Sequence, residues 1–386
     1  MNNPTTNPDK APERVETIVI GAGQAGLATG YYLAKFGRQV VVLDAVERVG
    51  DNWRSHWDSL RLYSLAKVCS LPGMPFPASG TSFPTKDQMA DFLQAYADTF
   101  NLPVRTSQRV RRLSRVGETY LVTTDAQPYV CDNVVVATGT FGRTPYIPPF
   151  AGDLDPAIVQ LHSNSYKNPK QLLQGPTLVV GASHSGSDIA YELASAGFET
   201  VLSGPIHGEI PVDIESPAAR IIFPILLLVF KHVLTTRTPI GRRMRPETRA
   251  HGGPLIRIKR ADLERAGVEL VADKTVGVRD GQPVLAGGRV LDVANVVWCT
   301  GFRHDFSWID APVIGEDGWP VESRGVVPGA PGLYFAGLAF QYAFASMLIG
   351  GAGRDAEYVA RHIAGRSSAG SPGRQERRQG TPAPAA

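Results

Sequence analysis

The sequence predicts an α/β fold of two nucleotide-binding units, the second inserted into the first, and three observations carry that prediction. The glycine-rich runs Gly21-Ala22-Gly23-Gln24-Ala25-Gly26 and Gly181-Ala182-Ser183-His184-Ser185-Gly186 each follow a β-branched apolar run. Each is followed by a stretch with apolar residues at helical spacing. Thr-Gly turns then recur after apolar strands, in Asn133–Thr140 and Val296–Arg303. Two Rossmann-like domains on one polypeptide point to a tightly held flavin dinucleotide and a nicotinamide dinucleotide that reduces it.

In the first unit, Glu16–Ile20 reads as a buried parallel strand and Gly26–Ala34 as the helix after it, with Leu27 and Leu33 toward the sheet. Gly21 permits the tight turn, Gly23 lets backbone approach a pyrophosphate, and Gly26 lets helix and strand pack closely; the helix N-terminus supplies N–H donors. The next strand, Gln39–Asp44, ends in a carboxylate placed to accept from ribose hydroxyls.

In the second unit, Thr177–Gly181 repeats the strand and Ser187–Ala196 the helix, with Ile189, Leu193 and Ala196 on one side. Ser183 replaces the middle glycine, and serine is small enough to admit a pyrophosphate. The following strand, Glu199–Ser203, ends without a carboxylate, which permits a 2′-phosphate and favours NADPH over NADH. The second Thr-Gly turn, Thr300-Gly301, returns the chain to the first domain. The expected division is therefore residues 15–149 with 291–364 for the flavin domain and 150–290 for the NAD(P) domain.

Composition bounds the rest. At 386 residues with 43% hydrophobic content, the chain can bury two cores of ordinary size. A formal charge of +3 without a long basic run argues against nucleic acid as a partner. Cys69, Cys131 and Cys299 stand far apart, so neither a redox dithiol nor a zinc site nor a disulfide framework is expected, and no metal. Reduced thiols and the lack of an apolar leader suit a cytoplasmic protein. Residues 1–14 and 365–386 read as disordered tails.

Within the insertion at 217–260, Arg220–Lys231 is the most apolar segment of the chain and is followed by Arg237, Arg242, Arg243, Arg245 and Arg249. It is too short to cross a bilayer, which takes about 20 residues. Two readings stand: apolar residues buried within the molecule as the cover of a substrate tunnel, or a weak peripheral membrane contact through 220–260.

With these residues placed, the chain resembles the group B flavin-dependent monooxygenases, including flavin-containing monooxygenases and CzcO-like bacterial oxidoreductases, over nearly its whole length. Gly50-Asp51-Asn52-Trp53 resembles the family's Gly-Gly-x-Trp element, and Ala137-Thr138-Gly139 its crossover out of the flavin domain. Phe150 and Gly152 with His162-Ser163-Asn164-Ser165-Tyr166 look like the family's identifying motif at a longer spacing; Tyr166 stands where the ester-forming branch has tryptophan. Leu60–Lys67, Cys69–Pro77 and Phe83–Gln88 are similar to plant YUCCA-type indole-pyruvate monooxygenases.

The resemblance implies FAD in the first unit, contacted by Gly21, Gly23, Gln24, Ala25, Gly26, Asp44, Gly50, Asn52, Trp53, Val110, Ala137, Thr138, Gly139 and Gly337. It implies NADP in the second, at Gly181, Ser183, Ser185, Gly186, Ser203, Thr300, Gly301 and Arg303. It further implies hydride transfer from nicotinamide to flavin, O2 addition to give a C4a-(hydro)peroxyflavin, and insertion of one oxygen atom into a small organic substrate. Tyr63, Ser64, His162 and Tyr166 are the candidate catalytic residues. Heteroatom-oxidising members carry an asparagine near Tyr63, so Tyr63 and Ser64 either donate hydrogen bonds in its place or pack structurally. His162 either orients the crossover or NADP site or is a satisfied core histidine. Arg303 either meets NADP phosphates or forms a surface ion pair. An NAD(P)H-flavin oxidoreductase or oxidase on the same scaffold, or a non-catalytic nucleotide sensor, stays open beside the monooxygenase.

Overall fold

The computed structural model describes residues 11–140, 144–250 and 252–366. Most of the two expected tails, residues 1–10 and 367–386, lies outside them. The first strand begins earlier than expected, at Glu13, because the Glu13 carboxylate accepts from Arg105 at 2.6 and 2.8 Å and anchors that end of the sheet.

The chain opens with β1 (Glu13–Ile20), α1 (Gln24–Lys35), β2 (Val40–Leu43), the short α2 (Asp51–Arg54) and α3 (Lys86–Thr99). β3 (Val104–Arg105), β4 (Val110–Val116), β5 (Thr119–Thr124) and β6 (Pro128–Val136) follow. Burial explains their composition: Val40–Leu43 is covered on both faces, and such a strand reads as an unbroken apolar run. α3 starts at a reciprocal cap, in which the Thr85 hydroxyl accepts from the Gln88 N–H while the Gln88 side chain accepts from the Thr85 N–H.

After β7 (Thr144–Pro145) come β8 (Val159–His162), β9 (Thr177–Val180), α4 (His184–Ser195) and β10 (Thr200–Ser203). The insertion contributes α5 (Pro217–Leu228) and α6 (Pro239–Ala250), with a π-turn at Val229–Val233 between them. Then follow α7 (Arg260–Arg265), β11 (Glu269–Val271), β12 (Thr275–Arg279), β13 (Gln282–Leu285), β14 (Asn295–Trp298) and β15 (Phe302–Arg303). β16 (Ile309–Asp310), β17 (Leu333–Phe335) and α8 (Ile349–Gly365) close the chain.

The described residues form two main sheets. The first runs β16-β4-β5-β6-β1-β2-β3, with β17 also on β6; β1, β2, β3, β6 and β17 are parallel neighbours, and β4 and β5 join as antiparallel strands. The second, β11-β10-β9-β14-β8, is parallel throughout. β14 lies inside the second sheet, so the expected return to the first domain at residue 291 is corrected: the inserted unit runs through Trp298, whose fully buried ring belongs to its core. The two crossing segments pair with each other as β7 and β15. Trp57 and Leu60 of the first unit pack into the core of the second, which locks the units at one seam.

Candidate functional site

The two glycine-rich turns are built as copies of one another. Gly21 N–H donates to Leu43 O at 2.7 Å, and Gly181 N–H to Ser203 O at 2.8 Å. Gly21 (φ +109°) and Gly181 (φ +106°) both lie in the region that favours glycine, and a Cβ at either would stand 2.4 Å from a carbonyl oxygen, that of Ala137 or of Cys299. A Cβ at Gly26 or at Gly186 would stand 1.8 Å from the oxygen of the first glycine in its own turn. Each turn therefore opens a helix N-terminus beside a crossover, Ala137-Thr138-Gly139 or Cys299-Thr300-Gly301, which is an anion-binding arrangement.

The middle positions differ. A Cβ at Gly23 would meet nothing within 4 Å, so the face a pyrophosphate needs is open. At Ser183 the backbone segment Gly252-Gly253-Pro254 lies across the same face: the Ser183 hydroxyl donates to Gly253 O at 3.0 Å, and a Cβ on Gly252 would stand 2.7 Å from Ser183 Oγ. The serine that replaces glycine thus latches a strap over the second helix N-terminus.

Asp44 leaves β2 with Oδ2 accepting from Ala22 N–H at 2.6 Å and Oδ1 from Val46 N–H at 3.2 Å, half-buried beside the first turn. The expected counterpart, Ser203, is corrected by register. Ile20 pairs with Leu43 and Val180 with Ser203, so Ser203 matches Leu43, and Gly204 matches Asp44. Ser203 is fully buried, bonded to Asp273 O at 3.0 Å and to Thr275 Oγ1 at 2.9 Å, and its side chain is turned away from the nucleotide face. The position that holds a carboxylate in the first turn has no side chain in the second.

Around the first turn, Gly50 (φ +87°) heads α2, and a Cβ there would strike Ala90 backbone at 2.5 Å. Asn52 is half-buried on α2, and Trp53 packs against the cores of both units. Gly337 (φ +80°) brings its backbone against Ala25, and Thr140 Oγ1 donates to its carbonyl at 3.1 Å. Gln24 and Ala25 form the first turn of α1, while Val110 is half-buried against the other face of the sheet. In the second turn, Ser185 and Gly186 begin α4. Thr300 donates to Tyr146 O, and the exposed Arg303 guanidinium lies 4.1 Å from the Tyr146 ring centre.

The four candidate catalytic residues separate. His162 Nδ1 accepts from Asn164 N–H at 3.1 Å, which puts the ring proton on Nε2, and Nε2 donates to Gly301 O at 3.0 Å. Burial holds its pKa below the ordinary value, so the neutral ring orients the crossover. Tyr166 is corrected: it is fully buried among Trp57, Leu60 and Ile189, and its hydroxyl donates to Glu192 at 2.6 Å, so it is a framework residue. Ser64 Oγ lies 3.3 Å from Cys69 Sγ. Tyr63 reaches across the seam with its hydroxyl, donating to Asp188 Oδ2 of α4 at 2.8 Å, and its ring lies tilted beside that of His184 with centres 5.1 Å apart.

Asp188, His184 and Arg257 were not singled out from sequence as site residues. Burial pushes the Asp188 carboxyl up to about 6, against the Tyr63 hydrogen bond that lowers it. Arg257 donates to Arg61 O at 3.0 Å and to Leu62 O at 2.7 Å, with its guanidinium 5.3 Å from the Tyr63 ring centre, and so fixes the loop that carries Tyr63. The available signal was the His184/Asp188 spacing of one helical turn; the partner came from a distant loop.

The profile of the pyridine nucleotide-disulphide oxidoreductase family matches residues 18–208. A CzcO-like oxidoreductase of Geobacillus kaustophilus is 39% identical over 351 residues, covering 90% of this chain and 98% of the relative. The chain belongs to the CzcO-like oxidoreductases, within the group B flavin-dependent monooxygenases. A flavin-containing monooxygenase from Stenotrophomonas maltophilia shares the fold of this CzcO-like chain at a TM-score of 0.73 and 26% identity, covering 91% of this chain and 98% of that one. The probable indole-3-pyruvate monooxygenase YUCCA7 of Arabidopsis thaliana is 27% identical over 90% of this chain and 87% of its own. The CzcO-like chain is an NAD(P)H-dependent flavin oxidoreductase with FAD and NADP as cofactors. Its turns fit them: an open cradle at Gly23, two helix N-termini, the second with the Gly252–Pro254 strap beside it, and two crossovers whose Ala137 and Cys299 carbonyls lie against Gly21 and Gly181.

Proposed function

We propose that this chain is an NADPH-driven monooxygenase that inserts one oxygen atom of O2 into a small organic substrate, with FAD on the first turn and NADP on the second. The observation that carries the reading is the duplicated turn whose second copy lacks a ribose carboxylate: Gly204 stands where Asp44 stands in the first, which leaves room and no like charge for a 2′-phosphate. Bound FAD supplies the electron transfer from nicotinamide to O2.

The chain's own residues bind and orient. Gly21, Gly23, Gln24, Ala25 and Gly26 present N–H groups to the FAD pyrophosphate, Asp44 faces its ribose, and Gly50, Asn52, Trp53, Thr138, Gly139 and Gly337 line its approach. Gly181, Ser185, Gly186, Thr300 and Gly301 do the same for NADP, with Arg303 at the rim. His162 holds the second crossover in place through the Gly301 carbonyl. Trp53, Trp57 and Leu60 close the seam against water. The expected cytoplasmic placement belongs to this reading.

One observation favours a second reading, an NAD(P)H oxidase. Where relatives that oxidise heteroatoms carry asparagine, Tyr63 has its hydroxyl committed to Asp188. Stopped-flow absorbance separates the two: the yellow protein is reduced anaerobically with NADPH and mixed with oxygenated buffer without substrate. A long-lived species distinct from oxidised and reduced flavin supports the monooxygenase. Direct return to oxidised flavin with stoichiometric H2O2 supports the oxidase and overturns the first reading.

A further inference from the structure

The most apolar helix of the chain leaves most of its described side chains half-buried or exposed. Of the side chains of α5 that the structure describes, Ala219 is buried, and Ile222 through Phe230 are all half-buried or exposed. Ile225 and Leu228 are 57% and 58% exposed, and Val233 and Ile240, on either side of the bend into α6, are 46% and 52% exposed. Phe223 packs against Leu65, Phe83 and Ile214, and Phe230 against Phe344, so the intramolecular burial expected of a tunnel cover is provided on one side only, with Ile225 and Leu228 left outside. An apolar face left open to water at this density marks a surface with a partner.

The charge around it is one-sided. No Asp or Glu occurs between Glu215 and Glu247, whereas Lys231, Arg237, Arg242, Arg243 and Arg245 do. Arg245 is held by Glu322 at 2.6 Å, but Lys67, Arg237, Arg242 and Arg243 are exposed. A groove of about 400 Å3 runs beside the patch, with Val68, Pro224, Leu227 and Leu228 as apolar wall and Lys67 and Lys231 as its cations. Burial, together with the Arg354 charge next to it, holds Lys231 below its ordinary pKa, a cost that an anion in the groove would remove.

We infer that the α5–α6 face is a docking surface for an anionic phospholipid bilayer, with Ile225, Leu228, Val233 and Ile240 entering the interface, Arg237, Arg242 and Arg243 against the headgroups, and one lipid phosphate between Lys67 and Lys231. An apolar insertion plus a cationic rim is the pair of signals that stable peripheral attachment requires. Among the described residues no helix is long and apolar enough to cross a membrane. The inference does not rest on the redox reading, since attachment needs no turnover.

The test is flotation of the full-length, FAD-loaded protein with phosphatidylcholine vesicles, with and without phosphatidylglycerol, at low and high salt. Flotation with the anionic vesicles, weakened by salt and reduced at least about tenfold in I225E/L228E, is the expected result. R242E/R243E should lose the preference for phosphatidylglycerol while retaining residual apolar binding. Unchanged flavin absorbance shows that the variants are folded. Recovery of the wild type in the bottom fraction at low salt, or equal flotation with both vesicle types, overturns the inference. So does a dimer in light scattering that I225E/L228E converts to monomer, because the face then belongs to a second copy.

Discussion

At Gly23 and Gly26 the same chemical change has opposite structural meanings. Valine at Gly26 would drive its Cβ into the Gly21 carbonyl, and the strand-helix junction cannot form; valine at Gly23 enters open space and fills the cofactor's place. Gly23→Val is therefore expected to fold with a cooperative thermal transition yet purify colourless, and Gly26→Val to be largely insoluble. A yellow Gly23→Val protein would refute the flavin site. At Ser183 the expected effect is a gain: Ser183→Ala removes the hydrogen bond that latches the Gly252–Pro254 strap, and NADPH binding by titration calorimetry should tighten about 3- to 10-fold, the net worth of one neutral hydrogen bond. Asp188 sets a pH dependence. The folded protein keeps its proton up to about pH 6, whereas an ordinary aspartate releases it near 3.8. Between those values the folded state binds more protons than the unfolded chain, so this group's contribution to stability falls as pH rises through the window. Asp188→Asn, always neutral, should flatten the Tm profile there.

At the level of elements, α6 is tied to the first unit by a buried ion-pair group. Glu322, with a side chain fully shielded from solvent, accepts from Arg245 at 2.6 Å and from Gly325 N–H at 2.7 Å, with Arg249 3.6 Å away. Arg249 donates to Ala339 O at 3.0 Å and lies 4.3 Å over the Trp319 ring. Removing one partner of such a group leaves buried charge uncompensated, so Glu322→Ala should cost about 3–5 kcal/mol in denaturant unfolding. Double replacement of Arg245 and Glu322 by apolar residues should cost less. Little of this was legible beforehand: Glu322 carries no motif, and its partners lie far upstream in the chain. The strand-helix-strand order of both units was legible, because fingerprint glycines and β-branched runs act within a few residues. The strand ending at Ser203 was legible, but its first-unit counterpart ends at Leu43, one residue before Asp44, so the position equivalent to Asp44 is Gly204 and not Ser203; a fully buried apolar run gives no internal marker of where the sheet stops.

Over the whole molecule, the two units meet along one seam, which the proposed function makes the working surface. From the first unit, Trp53, Trp57, Leu60 and Tyr63 meet Asp188, His184 and Tyr166 from the second, while Arg257 of the insertion clamps the loop between them. The sequence by itself determined the α/β class, the duplicated turn, the carboxylate at Asp44 and the absence of one in the second copy. Those features follow from local rules: a glycine where φ is positive, an apolar run where both faces are covered, a small residue where backbone must approach phosphate. The tertiary structure alone decided that Tyr166 is framework, that Tyr63 pairs with Asp188, that a strap lies over Ser183, and that the apolar helix faces outward. Each of these depends on which distant segment arrives at a given side chain, and that is settled by packing the whole chain at once, beyond the range over which neighbouring residues constrain one another.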